Sequence, residues 1–259
     1  MRKKAVLRVV SLLSCSLAPS LARGRCAEPS LSARVPEFEA QQTSRIEALL
    51  RFGEANNLCF GIEYVDASLL TDPVNFKIQA GSVQQTVHSI LGKGSFLIGS
   101  HDGVIEINRP MAETKTKDIF DYVLPAFESK RGSVQEISNL LHMYLVSDLN
   151  SQTTGFAGHY FSGDLNDQVG PFRRSNSTLR YLLDAILAQS KGGAWVASIA
   201  WSLRGDFKLP EKHLIWTFVE YGIPSSNYAG TLAGIARTIE NDLLRNGSDS
   251  QGSSGTDGT

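Results

Sequence analysis

The residues that could do chemistry are scattered along the 259-residue chain and form no known catalytic motif. None of the five histidines lies in an HExxH sequence or in a pair spaced to hold one metal ion. No GxSxG sequence marks a nucleophilic serine, and no glycine-rich loop opens a helix for phosphate binding. The acidic segment 164–168 lacks the bidentate glutamate of a calcium loop. We therefore expect no catalytic residue, no metal and no cofactor.

The cysteines allow two interpretations. Cys15 belongs to an N-terminal segment that we expect to be removed, which leaves Cys26 and Cys59. In an oxidising compartment these two could form a disulfide. Alternatively, Cys59 is a small buried side chain in a strand and Cys26 is a free thiol. Neither is part of a CxxC pair, so the sequence does not support a zinc site or a thioredoxin-like site.

All three tryptophans lie in the last third of the chain, in or beside two predicted strands. Trp195, Trp201, Trp216 and Tyr221 are our candidate partner-binding residues, because Trp and Tyr are enriched in interface hot spots. The alternative is a sheet face packed beneath the last helices, because aromatic side chains also fill cores.

Residues 1–22 have the features of a secretory signal peptide. A basic start at residues 2–4 precedes a short apolar stretch, and residues 20–22 form a small-residue cleavage site. The apolar stretch is too short and too interrupted for a membrane span. In a variant interpretation, Leu12-Leu-Ser-Cys15 resembles a bacterial lipobox, and Cys15 would be lipidated. We predict an extracytoplasmic protein, periplasmic or secreted, that associates with a membrane only if Cys15 carries lipid.

Composition and charge exclude several classes of protein. The chain is 42% hydrophobic and 20% charged, which is ordinary for a globular protein and rules out wholesale disorder. Lys and Arg number 25 and Asp and Glu number 26, so the formal charge is −1. Loss of residues 1–22 would remove four basic residues and make the chain more acidic. Nucleic acid is therefore not an expected partner, because such binding depends on positive charge.

Hydrophobic periodicity predicts the element order β-α-β-β-α-β-β twice, in residues 35–109 and 118–221. An Asp-Gly turn at residues 102–103 predicts a hairpin. The predicted helix starts are Ser44, Ser82, Ser133 and Thr178. The predicted strands are 35–39, 58–64, 74–79, 96–98, 104–107, 119–127, 169–173, 194–201 and 214–221, with one more near Tyr160. This pattern predicts an α+β fold of two consecutive small modules, with helices packed on one face of small mixed sheets.

The similar spacing of helix starts in the two stretches suggests a duplication, and coincidence is the alternative. Under duplication, each helix would pack its apolar stripe on strands of its own half. The rival arrangement is a single sheet that contains strands of both halves and has a shared core. A last amphipathic helix is predicted at 229–245, followed by a disordered tail at 246–259 that is rich in Gly, Ser and Asp.

Residues 35–109 also carry a run of turn residues and apolar positions found in one known family. The segments are Glu37-Phe-Glu-Ala-Gln41, Leu58-Cys-Phe-Gly-Ile-Glu-Tyr64, Phe76-Lys-Ile-Gln-Ala-Gly81 and Ile90-Leu-Gly-Lys-Gly94. In these four segments, residues 35–109 resemble the STN domain, the short N-terminal domain that secretins and TonB-dependent receptors share. Residues 118–221 resemble it only in element order. The resemblance implies a small α+β module of a bacterial envelope that binds protein partners and has no catalytic activity.

We therefore expect an exported, non-enzymatic adaptor or protein-binding module of the cell envelope, with an envelope protein as its partner. The alternatives are a cell-wall-associated hydrolase, with a site in the loop 147–168, and a small-ligand-binding protein with a pocket between the modules. A cluster of His, Asp or Glu converging in one cleft would favour the enzyme. An apolar cavity would favour the ligand-binding protein, and a flat aromatic surface would favour the adaptor.

Overall fold

The structure is a computed structural model that describes residues 26, 30–63, 65–92, 94, 96–108, 119–148, 160–162, 167–200, 213–222 and 228–237. The first half contains β1 (Arg34–Val35), β2 (Phe38–Thr43), α1 (Arg45–Asn56), β3 (Cys59–Ile62), α2 (Ala67–Thr71), β4 (Val74–Ile78), β5 (Gly81–Ser82), α3 (Val83–Leu91), β6 (Leu97–His101) and β7 (Val104–Asn108). The second half contains a 3-10 turn (Ile119–Asp121), β8 (Val123–Ser129), β9 (Gly132–Ser133), α4 (Val134–Asp148), β10 (Tyr160–Ser162), β11 (Gln168–Val169), β12 (Phe172–Thr178), α5 (Leu179–Ala188), β13 (Gly193–Ala200), β14 (His213–Glu220) and a helix α6 at 228–237.

Side-chain caps begin four of these helices at the predicted residues. The Ser82 hydroxyl accepts a hydrogen bond from the backbone N–H of Gln85, whose side-chain oxygen accepts from the N–H of Ser82. Ser133 forms the same reciprocal pair at the start of α4. Ser44 and Thr178 each accept one backbone N–H at α1 and α5. The capping sequences therefore predicted these starts correctly, because they satisfy amide groups that have no partner inside a helix.

Three local predictions differ from the structure. The predicted strand at 119–127 begins instead with the 3-10 turn, and β8 starts only at Val123. The predicted strand at 169–173 is two short strands, β11 and β12, separated by Gly170 and Pro171. Helix α2 was not predicted, although Asp66 caps it by accepting the N–H of Leu69. Elements this short carry too little hydrophobic periodicity to be recognised.

The two halves share one pattern of strand pairing. In the first half, β2 pairs with β4 antiparallel, β3 with β7 parallel, and β6 with β7 antiparallel. In the second half, β8 pairs with β12 antiparallel, β10 with β14 parallel, and β13 with β14 antiparallel. Apart from α2 and the strands of only two residues, each half has the order β-α-β-β-α-β-β, and the α+β class is confirmed.

The halves join edge to edge in a single six-stranded sheet of order β10-β14-β13-β3-β7-β6. The joint is the parallel pair β13–β3, in which Trp195 lies opposite Gly61. A Cβ atom at Gly61 would lie 2.5 Å from the Trp195 ring, so the indole occupies the space that any other side chain would need. The joint therefore depends on the large Trp195 side chain of the second half, which packs over Gly61, a residue of the first half that has no side chain.

The second half is reversed relative to the first. Since β13 runs parallel to β3 but antiparallel to β14, and β14 runs parallel to β10, strand β10 runs opposite to its counterpart β3. Reversing the strands without changing their order carries the connecting helices to the opposite face. Accordingly α1, α3 and α6 cover one face of the sheet, and α4 and α5 cover the other.

Both faces carry a core made by the two halves together. Strand alternation sends Phe60 and Val196 to the first core, beneath α1, and sends Cys59 and Trp195 to the second, beneath α5. The expectation that each helix packs only against its own half is therefore wrong. Pairing β3 with β13 satisfies the backbone groups of two edge strands, and the helices then extend across the joined sheet.

Candidate functional site

A cleft of about 580 Å³ lies where the two halves meet. Strands β6 and β7 of the first half line it with Ser100, His101 and Glu106, and the end of β12 and the start of α5 line it with Asn176, Arg180 and Tyr181. Most of its lining residues have polar or charged side chains, which distinguishes it from the apolar cavity of a carrier for apolar ligands.

Three ionisable side chains converge beside this cleft: His101 and Glu106 line it, and the buried Asp184 lies next to them. One ring nitrogen and one oxygen from each carboxyl group all lie within 4.8 Å of one another. His101 is the last residue of β6, Glu106 lies in the middle of β7, and Asp184 lies in the middle of α5. The first two come from one half of the chain and the third from the other, so the cluster exists only because the halves are joined.

The hairpin β6–β7 sets the positions of His101 and Glu106. Asp102 and Gly103 form its two-residue turn with φ angles of 48° and 85°, which fits the predicted Asp-Gly turn. In this register His101 lies opposite Val104 and Gly99 lies opposite Glu106. His101 and Glu106 are therefore diagonal neighbours on one face of the hairpin. Gly99 leaves the space in front of the Glu106 carboxylate open.

Asp184 is a buried carboxyl group with one satisfied oxygen. Its side chain has no exposed surface. Oδ1 accepts a hydrogen bond of 2.7 Å from the indole N–H of Trp195, whereas Oδ2 has no hydrogen-bond donor among the described residues. The closest cation candidate is Nδ1 of His101, 3.8 Å from Oδ2, which is too far for a hydrogen bond.

The surroundings of Asp184 favour its neutral form. Burial raises the pKa of Asp184 to about 9, the neighbouring Glu106 carboxyl group and the charge of Glu63 add to this, and the Trp195 N–H opposes it. Desolvation is the largest of these causes, because a buried carboxylate loses the water that would stabilise its charge.

A second charged network supports the wall of the cleft. Nε of Arg180 lies 2.5 Å from Oε1 of Glu63, whose side chain is fully buried, and Arg180 also pairs with Asp121. Burial lowers the pKa of Arg180, but the hydrogen bonds and charges of Glu63 and Asp121 outweigh it and raise the pKa overall. Two carboxylates, those of Glu63 and Asp121, therefore already share the positive charge of this guanidinium.

The predicted partner-binding strip is not a surface. Trp195 and Trp216 are almost completely buried in the second core, where the Trp216 indole donates to the Ser138 hydroxyl over 2.9 Å. Tyr221 donates to the carbonyl of Leu58 over 2.7 Å and is only partly exposed. The alternative interpretation of these aromatic residues, core packing, is the correct one for these three. Trp201 lies outside the described residues.

Cys26 and Cys59 form a disulfide, with their Cα atoms 5.4 Å apart. This pairing indicates an oxidising, extracytoplasmic environment. Cys26 also lies against the turn of the hairpin, since a Cβ atom at Gly103 would lie 3.5 Å from the Cys26 carbonyl oxygen. The disulfide thus ties β3 to a point beside the turn that carries His101. The signal peptide and Cys15 lie outside the described residues.

Sequence reasoning missed the cluster. His101 lies next to the predicted Asp-Gly turn and Asp184 lies inside a predicted helix, so no motif marks either residue. One signal was available: Asp184 follows Leu182 and Leu183 and precedes Ala185, Ile186 and Leu187, so a carboxyl group stands within an almost continuous apolar run. A charged residue in such a run is buried and therefore a candidate for function. The predicted hydrolase loop at 147–168 does not contribute to the cleft through any of its described residues.

Alongside the cleft, α4 and β8 form a more apolar groove of about 450 Å³. Leu124, Leu140 and Tyr144 line it, and Met143 is 68% exposed at its rim. An exposed methionine beside apolar side chains is a feature of adaptable protein-binding surfaces.

Comparisons of this chain with protein-family models, with curated proteins and with solved structures found no match. The resemblance to the STN domain therefore stays a prediction, and the proposed function rests on the geometry of the site.

Proposed function

We propose that the protein is an extracytoplasmic hydrolase whose active site is the cleft between its two halves. The observation that carries this proposal is the convergence of His101, Glu106 and Asp184 within 4.8 Å, next to a cleft that a substrate can enter. A buried carboxyl group with a strongly perturbed pKa, beside a histidine at a cleft, is the arrangement expected of a site that handles protons.

The spacing of the carboxyl groups favours amide or ester hydrolysis over glycoside hydrolysis. Glycosidases separate their two carboxyl groups by about 5 to 9.5 Å so that the scissile bond fits between them. One oxygen of Asp184 and one of Glu106 lie within 4.8 Å of each other, which is less than this separation. In the proposed reaction, water activated at the cluster adds to the substrate carbonyl carbon, the C–N or C–O bond breaks, and the leaving group takes a proton from the site.

The remaining lining residues suit a polar substrate. Asn176, Ser177 and Tyr181 present hydrogen-bonding groups along one wall, and Ser100 presents a hydroxyl on the other. The disulfide and the predicted signal peptide support a location in the periplasm or outside the cell, where peptide cross-links of the cell wall are an abundant amide substrate.

The test is an assay of the purified full chain on cell-wall sacculi and on model peptide amides, with mass spectrometry of the released products. We expect new carboxyl and amino ends in equal numbers. Glu106→Gln should lower the rate by about 100-fold or more, because it removes a charge next to the reacting water. The matched control is His88→Gln, since His88 is exposed on α3, which covers the opposite face of the sheet from α5. Equal rates for E106Q and wild type, or no product, would contradict the proposal.

A protein-binding role is the second candidate, supported by the apolar groove beside α4. An envelope protein with an exposed apolar segment is the partner that this groove fits. Met143→Glu should abolish cross-linking to that partner, whereas Leu97→Glu, at an equally exposed apolar residue on β6, should leave it unchanged. Equal cross-linking of both variants would exclude the groove as the binding surface.

A further inference from the structure

We propose that His101, Glu106 and Asp184 bind one divalent ion of the zinc type where His101 and Glu106 line the cleft. The proposal rests on the same site as the proposed hydrolase and names the agent that activates its water. A histidine nitrogen with two carboxylate oxygens is a donor set that suits zinc and manganese, and it is poorly matched to magnesium, which prefers oxygen ligands and retains water.

The three ligands are held by regular structure. His101 and Glu106 are diagonal neighbours on the two strands of one hairpin, and the turn between them is pressed against Cys26 of the disulfide. Asp184 projects from α5, which packs across β3, β7 and β13. Ligands on strands and helices are placed more precisely than ligands on loops, so the geometry is set before an ion arrives.

The free oxygen of Asp184 is an independent observation that points to a cation. Trp195 holds Oδ1 with its N–H and so fixes the orientation of the carboxyl group, as partners of metal-binding carboxylates commonly do. The other oxygen, Oδ2, is buried and has no hydrogen-bond donor within the described parts of the chain. It is also the Asp184 atom nearest to His101, at 3.8 Å from Nδ1. An ion between these atoms would satisfy an acceptor that nothing else described here satisfies.

The local charge also favours a cation. Glu106 and Glu63 both contribute negative charge near Asp184. The guanidinium of Arg180, which lines the same cleft, is shared by Glu63 and Asp121. A divalent ion would balance negative charge on the carboxyl groups of the cluster.

The cleft leaves room for an exchangeable ligand. The His101 side chain is 44% exposed, and the cleft opens above it and Glu106. Catalytic zinc sites use three protein ligands and keep a position for water, whereas structural sites are closed by four. The geometry therefore fits an ion that carries a water molecule toward a substrate.

The test is isothermal titration of the full chain, prepared without a histidine tag and freed of metal by a chelator, with ZnCl₂, MnCl₂ and MgCl₂ in separate runs. We expect one zinc ion per chain and little binding of magnesium. His101→Gln and Asp184→Asn should each weaken zinc binding by about 10-fold or more, and His88→Gln should leave it unchanged. Absence of one-to-one zinc binding, or equal affinity in H101Q, D184N and wild type, would overturn the proposal.

Two further measurements keep the result clear if a variant is unstable. His101 is partly exposed, so H101Q should fold, and zinc should raise the melting temperature of wild type but not of H101Q. Cobalt(II) should give a visible absorption band that saturates at one equivalent in wild type and is absent in H101Q. Zinc binding without hydrolysis would reject the hydrolase and keep the ion site. Hydrolysis that survives both chelation and H101Q would reject the ion site and keep the hydrolase.

Discussion

The indole nitrogen of Trp195 donates a hydrogen bond of 2.7 Å to Oδ1 of Asp184, and this bond connects strand β13 to helix α5 inside the second core. The same indole covers Gly61 of β3, so one side chain both closes the joint between the halves and orients the carboxyl group of the candidate site. Fold and site are thus linked through a single residue.

Replacement of this indole should therefore be costly. We expect Trp195→Phe to lower the free energy of unfolding by about 2–3 kcal/mol, because it leaves a gap and removes the hydrogen bond of a buried carboxyl group. The control is Trp216→Phe, which is equally buried but donates to the neutral hydroxyl of Ser138. It should cost about 1–2 kcal/mol. Urea unfolding of both variants measures the difference, and a W216F loss as large as that of W195F would contradict the special role of Trp195.

Stability should depend on pH through Asp184 when no metal is present. Glu106, His101, Glu63 and Trp195 face this carboxyl group, and its pKa is raised in the folded protein. Between the pKa of an unfolded Asp, about 4, and the raised value, only the folded state holds the proton, so stability falls as pH rises.

Asp184→Asn removes this titration and keeps an oxygen for the Trp195 N–H. We expect the variant to become more stable relative to wild type as pH rises from 5 to 8, by at most about 1.4 kcal/mol per pH unit. Asp102→Asn, at the exposed hairpin turn, should follow the wild-type profile. Parallel profiles for D184N and wild type, measured by urea unfolding in chelator, would show that Asp184 ionises normally.

The buried pair of Glu63 and Arg180 should contribute far more than an exposed pair. Glu63→Gln should lower the unfolding free energy by about 2–4 kcal/mol, because Arg180 keeps only 16% of its side chain exposed and would lose its main partner. Glu128→Gln breaks a pair with Arg173 in which the side chains are 61% and 87% exposed. This loss should be below about 1 kcal/mol. Thermal unfolding of the two variants should rank them in this order, and a reversed order would contradict the assignment.

The disulfide should add to stability by restricting the unfolded chain. Cys26 and Cys59 are separated by 33 positions, so Cys26→Ser should cost about 3–4 kcal/mol. Reduction of wild type should lower its melting temperature to about that of C26S, and the same reductant should leave the melting temperature of C26S unchanged. If the reductant lowered the melting temperature of C26S as much as that of wild type, the stability lost on reduction would not come from this disulfide.

Local features of this fold could be predicted and distant ones could not. Ser82 and Ser133 predict helix starts because a cap and its partner lie only three residues apart. Asp102-Gly103 predicts a hairpin because the two residues that form the turn are adjacent. The joint between β3 and β13 brings together segments far apart in the chain, and nothing local distinguishes it from a joint within one half.

The candidate site was hidden for a related reason. His101 and Asp184 belong to different halves, and their meeting depends on the reversed orientation of the second half, which places α5 on the opposite face from α3. The burial of Trp195 and Trp216 could not be predicted either, because an alternating aromatic strand is equally compatible with a core and with an exposed strip. Burial, which decides between the two, is a property of the assembled sheet.

The joint between the halves also limits what either half could do by itself. Among the described strands, β13 occupies the place in the second half that β6 occupies in the first, and β3 occupies the place of β10. The contact is therefore heterologous, because it joins two different strand edges, the β13 edge of the second half and the β3 edge of the first half. The other edge strand of each half, β10 or β6, takes no part in the joint. If the halves were separated, each would expose both of its edge strands. A heterologous contact that does not close into a ring continues from one copy to the next. Expressed alone, each half is therefore expected to associate with further copies through the strand edge, β3 or β13, that the joint covers in the whole chain.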